Sequence, residues 1–396
     1  MAHLTGSSLG IWPGRASSLP PDRLFDLTRS AVTAAGLLAG IFAVVYSYRK
    51  QKIEEATSRR ADADSLGTRY QDASGQLGNE SATVRLAGIY ALSRLADEDS
   101  TQRETVCRLL CGYLRMPYDP VGPPAGEREV RHTVIKVIAE HLQDPTSDFS
   151  WCGYDLDFSG AVFDGGSFAG SHFVGSYINF SGCRFVNGKV LFDRSTLEDA
   201  HVDFGDGESM PAFFDGGAVH FIGAHFKAGA HLTFIFTQFK SGALEFGTSY
   251  FLPGSVVTFS SCDIGGAIVS FGGPVWGGAH FLGGSVSFDG ADLKAGLLSF
   301  MGTSFSGSHV SLDEITQTGT AIFFDAASFG SGKVTFNNAK LSNGEISFGL
   351  GADPEAVVSP WPLSRPVRRR GGAARRLYGW VSGSGAARTT RDPNPD

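Results

Sequence analysis

The sequence predicts a mainly β protein: a β-solenoid of very short strands, preceded by one membrane-spanning helix and a small helical hairpin. Three observations carry that expectation. Phenylalanines recur first every five and then every twelve residues across 150–350. Ser30 to Tyr48 is a run without a single charge, and the segment between these regions has a helical apolar period. Composition agrees, because 31 Phe and 52 Gly accompany a charged fraction of only 18%. A Gly–Phe excess without Gln/Asn tracts fits an ordered repeat of tight corners and buried rings.

Residues 1–23 read as a disordered tail and 24–48 as the transmembrane helix. "SAVTAAGLLAGIFAVVYSY" from Ser30 to Tyr48 would reach about 28 Å as a helix, close to the hydrocarbon thickness of a bilayer. Tyr46 and Tyr48 stand where an interfacial aromatic belt lies. The run is longer than a signal-peptide core, and no small-residue cleavage site follows it, so an uncleaved anchor is expected. Arg49, Lys50, Lys52, Arg59 and Arg60 follow the span, against Arg15, Arg23 and Arg29 before it. That bias predicts a single-pass protein of the plasma membrane with a cytoplasmic C-terminal side. Gly36 and Gly40 form a G-x-x-x-G that would allow close helix approach, hence a homodimer through the membrane.

Residues 49–80 read as a juxtamembrane helix fading into a connector, and 81–146 as helical. Val84, Gly88, Ala91 and Leu95 share one stripe, with Leu86, Ile89 and Leu92 broadening it. Thr101 and Glu104 have capping-box spacing for the next helix, which carries Val106, Leu109, Leu110, Tyr113 and Leu114 and stops before Pro117. Cys107 and Cys111 lie one turn apart without further ligands in spacing, so packing is expected and no metal. Five cysteines spread over the chain make no disulfide framework, which favours a reducing compartment. "VRHTVIKVIAEHL" (130–142) is a further amphipathic helix, placed to cap the first open edge of the solenoid.

In the solenoid, Phe158, Phe163, Phe168, Phe173 and Ile178 are spaced by five, with Ala161, Gly166, Ser171 and Ser176 two residues before the later anchors. Residues two apart on a strand share a face, so both point inward. Five matches neither helix nor simple strand, and fits a four-sided solenoid. Phe180 and Phe192 continue the series, and Phe288, Phe300, Leu312, Phe324, Phe336 and Phe348 then recur every twelve residues. Each phrase is a bulky-x-Phe side and a small-x-Leu/Phe side, spaced five and seven. Jumps of seventeen at Phe204–Phe221 and Phe271–Phe288 read as a phrase plus one pentapeptide. Gly296, Gly332 and Gly344 read as corners needing permissive φ. A coil of 24 residues makes a rod of roughly 38 Å, and a two-sided coil of twelve doubles that.

These phrases resemble the pentapeptide-repeat family, which implies a right-handed quadrilateral β-helix. "SWCGYDLDFSGAVFDGGSF" entering the repeat, with the anchor and "VRLAGIYALSRLADED", resembles the membrane-anchored pentapeptide-repeat proteins common in actinobacteria. The similarity covers about residues 24–350. Phenylalanine-dominated anchors and the five-plus-seven rhythm depart from the family's usual leucine pattern.

Chemistry is sparse. His172, His220, His225 and His280 directly precede Phe anchors and are expected to face outward. "VNGKV" (186–190) and "GSGKV" (330–334) lack phosphate-loop spacing and read as corners. Asp289, Asp292, Asp313 and Glu314 form no matched acid–base pair, so neither an enzyme nor a cofactor is expected. Residues 151–350 hold 18 Asp/Glu against 8 Lys/Arg, a balance of −10. Beyond them, 351–396 read as a disordered tail in which Arg368, Arg369, Arg370, Arg375 and Arg376 suit anionic lipid. The expected function is a non-enzymatic, membrane-anchored scaffold recruiting another protein. An acidic nucleic-acid mimic acting on type II topoisomerases such as gyrase, and an envelope-facing glycan-binding rod, are the alternatives. Direct nucleic-acid binding is not expected.

Overall fold

The structure, a computed structural model, describes residues 21–205, 207–349 and 354–360. The chain divides into two compact units, Met1–Thr68 and Arg69–Asp396, and the division falls inside the first helix, α1 (Pro21–Leu77). In the first unit, the helix exposes Val32, Leu37, Ile41, Phe42 and Val44. Among the described residues it is the one helix long and apolar enough to cross a membrane.

The second unit begins with the end of α1, followed by α2 (Ala82–Glu98), α3 (Arg103–Arg115) and α4 (Glu127–Glu140). Gly88 on α2 lets α1 pass, since a Cβ there would stand 2.9 Å from the Ala73 carbonyl. The capping box does not form. Asp99 instead accepts from the Thr101 amide at 2.9 Å, a short 3-10 turn intervenes, and Glu104 pairs with Arg108 at 2.6 Å. Asp99 therefore caps the 3-10 turn, and the helix after it begins without a side-chain cap.

Beyond the helices stands a parallel β-solenoid of about eight turns. Its first ladder has nine strands, in the register Leu156, Ile178, Val202, Leu232, Val257, Val286, Val310, Val334 and Val358. The last steps are each 24 residues, so a coil is two twelve-residue phrases and not one. Three further ladders complete four sides. The second runs through Phe163, Phe185, Phe214, Phe239, Ile264, Leu293, Gln317 and Leu341. The third runs from Gly166 through Val190, Val219, Leu244, Val269, Leu298, Ile322 and Ile346. The fourth passes through Phe173, Leu197, Phe226, Phe251, Phe281 and Phe305. Eight steps at about 4.8 Å give roughly 38 Å.

Stacking explains the phenylalanines. Phe168, Phe192, Phe221, Phe246, Phe271, Phe300, Phe324 and Phe348 form one unbroken column with ring centres 4.8–5.2 Å apart. Phe158, Phe180, Phe204, Phe234, Phe259 and Phe288 form a second, which Leu312 interrupts before Phe336. Residues twelve apart do not stack: Phe288 and Phe300 meet edge to face across the interior at 6.2 Å. Phe163 and Phe173 are buried in the remaining two columns.

Corners follow a rule the repeat hides. Two residues after thirteen of these anchors the backbone turns left-handed, at Gly160, Gly170, Gly182, Gly223, Gly290 and Gly302, but also at Arg194, Phe236, Thr248, Ser261, Glu314, Ala326 and Asn338; after Phe271 the hairpin replaces this corner. Gly296 and Gly344 have positive φ, whereas Gly332 is needed for space, since a Cβ there would stand 2.6 Å from that of Phe305. Neither seventeen-residue jump adds a side. Residues after Phe204 leave as a loop closed by the Gly205–Pro211 bridge, and those after Phe271 form an antiparallel hairpin through Gly272–Gly278.

The helices close the first coil. Ile135 of α4 lies 2.7 Å from where a Cβ on Gly166 would stand, and the Leu142 carbonyl accepts from the His172 amide at 2.7 Å. Arg131 is buried, its guanidinium bonded to the Leu114 carbonyl and stacked 4.4 Å from the Tyr118 ring. Asp164, on the first coil, receives the Tyr118 hydroxyl at 2.7 Å. Such contacts cover backbone groups that an open edge leaves free.

Candidate binding cleft

The hairpin after Phe271 interrupts the solenoid wall and has a cleft beneath it. Gly272 pairs with Gly278, and Pro274, Val275 and Trp276 form the tip. Only glycine fits at the base: a Cβ on Gly272 would lie 2.1 Å from the Met301 carbonyl, and one on Gly278 2.0 Å from that of Gly302. The Gly272 carbonyl accepts from the hydroxyls of Ser270 at 3.0 Å and Ser299 at 2.6 Å. The hairpin therefore lies flat over the third side. Gly247 makes room for it, since a Cβ there would stand 2.5 Å from the Trp276 Cβ.

The half-open cleft holds about 160 Å³, and Lys189, His220, Glu245, Ile268, Ser270 and Trp276 are among its lining residues. His220, Glu245 and Ser270 occupy one outward position of the third ladder on successive coils. His220 was expected at the surface with the other outward histidines; the hairpin covers it and leaves it 5% exposed. Burial pushes its imidazole below the usual range, opposed by the Glu245 carboxylate, whose Oε2 is 4.0 Å from Nε2. Glu245 Oε2 is shielded and takes no hydrogen bond. A buried carboxylate oxygen without a donor is costly, so the cleft holds an unmet demand for N–H or O–H groups.

Four outward histidines line up with tyrosines from coil to coil. His225, Tyr250 and His280 form a column on the fourth side with ring centres 4.9 Å apart. Tyr177, His201 and His231 form another on the first side at 5.6 and 5.7 Å. His172 is half-buried. Among the described residues no group of three His, Cys, Asp or Glu side chains is arranged to hold a metal. The carboxylates singled out above bond from coil to coil: Asp289 accepts from the Ser311 hydroxyl, and Asp313 accepts from the Asn337 amide at 2.8 Å. Lys294 lies 2.6 Å from Asp263 and 3.9 Å from Asp292. Cys183 and Cys262 are buried inside the solenoid, where desolvation pushes both thiols up. Cys107 and Cys111 are buried between helices, and the Cys111 thiol is raised by its bond to Cys107 and by burial.

Lys189 and Lys333 stand exposed at strand starts. Gly188 is a tight corner, its Cβ position 2.1 Å from the Asp164 carbonyl. Gly36 and Gly40 face open space, with nothing within 4 Å of a Cβ at either. Arg368, Arg369, Arg370, Arg375 and Arg376 lie outside the described residues. Trp276 and Glu245 escaped the sequence reading. Their signal was the ten-residue gap from Phe271 to Phe281, where a side normally takes five. No family model, curated protein or solved structure matches the chain.

Proposed function

We propose that the protein is a non-enzymatic scaffold of the pentapeptide-repeat type, held at the cytoplasmic face of the plasma membrane by the apolar part of α1. The observation that carries this reading is the pair of outward ring columns, the exposed Tyr177–His201–His231 and the partly exposed His225–Tyr250–His280. Ladders in fixed register present side chains at a constant spacing on stiff walls, as repeat proteins do when they bind partners along one face. Interface anchors are enriched in such aromatic groups. In this reading Gly36 and Gly40 bring two anchors together, and the arginines of 368–376 rest on anionic lipid.

The test combines topology and capture on the full-length chain. Protease should cut the solenoid in inverted vesicles and spare it in intact protoplasts. Cleavage on intact cells overturns the cytoplasmic placement. Affinity capture from a detergent extract should return a second protein, and should lose it when His201 and His231 are changed to Asp. Capture of the chain alone overturns recruitment.

A further inference from the structure

The cleft beneath the Trp276 hairpin asks for a particular kind of group. Its floor carries the Glu245 carboxylate, with one oxygen shielded and lacking a donor on a side chain 19% exposed as a whole. His220 beside it is held in its neutral form by burial and brings no competing charge at neutral pH. Trp276, 47% exposed, is an aromatic wall, and Ile268, Pro274 and Val275 are apolar lining. Lys189 is an exposed lining residue of the cleft whose positive charge also acts on His220, and no hydrogen bond ties it to the shielded Glu245 oxygen. The solenoid around the cleft carries 18 acidic against 8 basic residues.

We propose that this cleft receives the guanidinium of an arginine on a basic segment of the recruited protein. The inference rests on the scaffold reading and names the chemistry of its partner. A planar guanidinium stacks on an indole and offers forked donors to a carboxylate, which a compact ammonium does not do together. The apolar lining suits the methylene stem, which long basic side chains lay along hydrophobic surface. The acidic solenoid attracts such a segment before contact.

The test uses full-length protein in detergent micelles, titrated calorimetrically with N-acetyl-arginine amide. N-acetyl-citrulline amide, which matches its shape without the charge, is the control. Arginine amide should bind, with citrulline amide at least about tenfold weaker. Glu245→Gln should cost about tenfold, and Trp276→Ala should also weaken binding, both with an unchanged circular dichroism spectrum. Equal binding of the two amides, insensitivity to Glu245→Gln, or no binding overturns the proposal. A variant with the six arginines at 365, 368, 369, 370, 375 and 376 changed to Gln addresses the chain's own basic segment. Binding that emerges only in that variant means that the chain fills its own cleft, and it overturns the partner assignment. These outcomes leave the topology and capture tests untouched, so the cleft and the scaffold reading fail separately.

Discussion

The Asp164 carboxylate lies 3.0 Å from the Arg128 Nε, and the two ends of this pair live in different surroundings. Asp164 is 7% exposed and also takes the Tyr118 hydroxyl at 2.7 Å and His132 Nε2 at 3.0 Å, whereas Arg128 is 59% exposed. Removing the buried member leaves three cap groups unmet and opens the first coil. Asp164→Ala should cost about 3–5 kcal/mol, while Arg128→Ala should cost under about 1 kcal/mol. Thermal melts of the two variants check this, and similar shifts in both would contradict the hub. Tyr118 is also held protonated beyond its usual range by burial and by the Asp164 bond.

Thr248 makes a corner with φ 53, a costly conformation for a β-branched residue, where six other coil corners have glycine. Thr248→Gly should stabilise the fold by about 1 kcal/mol, less the entropy that glycine loses on folding. At Gly160, with φ 72 and open space around it, Gly160→Val should do the opposite. Melting temperatures moving the same way for both variants would refute the corner rule.

Gln317 sits fully buried in a column between Leu293 and Leu341. Its Nε2 donates to the Thr320 carbonyl at 2.7 Å, but its Oε1 has no hydrogen-bond partner. Gln317→Leu should raise stability by about 1 kcal/mol, because the shielded oxygen disappears and the column becomes apolar throughout. In the neighbouring column Phe300→Ala should cost about 3–5 kcal/mol by opening a gap between Phe271 and Phe324. Denaturation of both variants gives the comparison.

His220 is neutral in the fold because burial lowers its pKa, against the pull of Glu245 and Asp193 and with the push of Lys189. An unfolded chain takes up this proton near pH 6.5, and the folded chain does so only at lower pH. Stability from this group is therefore intact above about pH 6.5 and is lost as pH falls below it. His220→Gln should flatten that part of the stability profile relative to wild type. An unchanged slope would show that His220 is not shielded.

The architecture was legible because its basic spacing is local. Phe158, Phe163, Phe168 and Phe173 mark one side each, so the five-residue period names the four-sided solenoid directly. Coil length was hidden by the similarity of the two half-turns: Val286-Ser-Phe288 and Leu298-Ser-Phe300 read alike yet lie on opposite sides. The corner rule was hidden because left-handed positions hold Arg194, Phe236 and Glu314 as well as glycine. The cleft was the least legible feature. His220, Glu245 and Trp276 belong to three different coils, and what joins them is stacking over gaps of 25 and more residues.

Two kinds of side alternate around the coil, bulky at Val286 and Leu298, small at Ala291 and Thr303. A single extra side would put every later bulky residue where a small one belongs, so both five-residue insertions leave the wall as loops. The solenoid is in this sense a ruler. Adding 24 residues moves everything beyond by about 4.8 Å without turning it, while adding twelve turns it to the opposite side. Graduations of that kind let the length of the wall change while each face keeps its bearing.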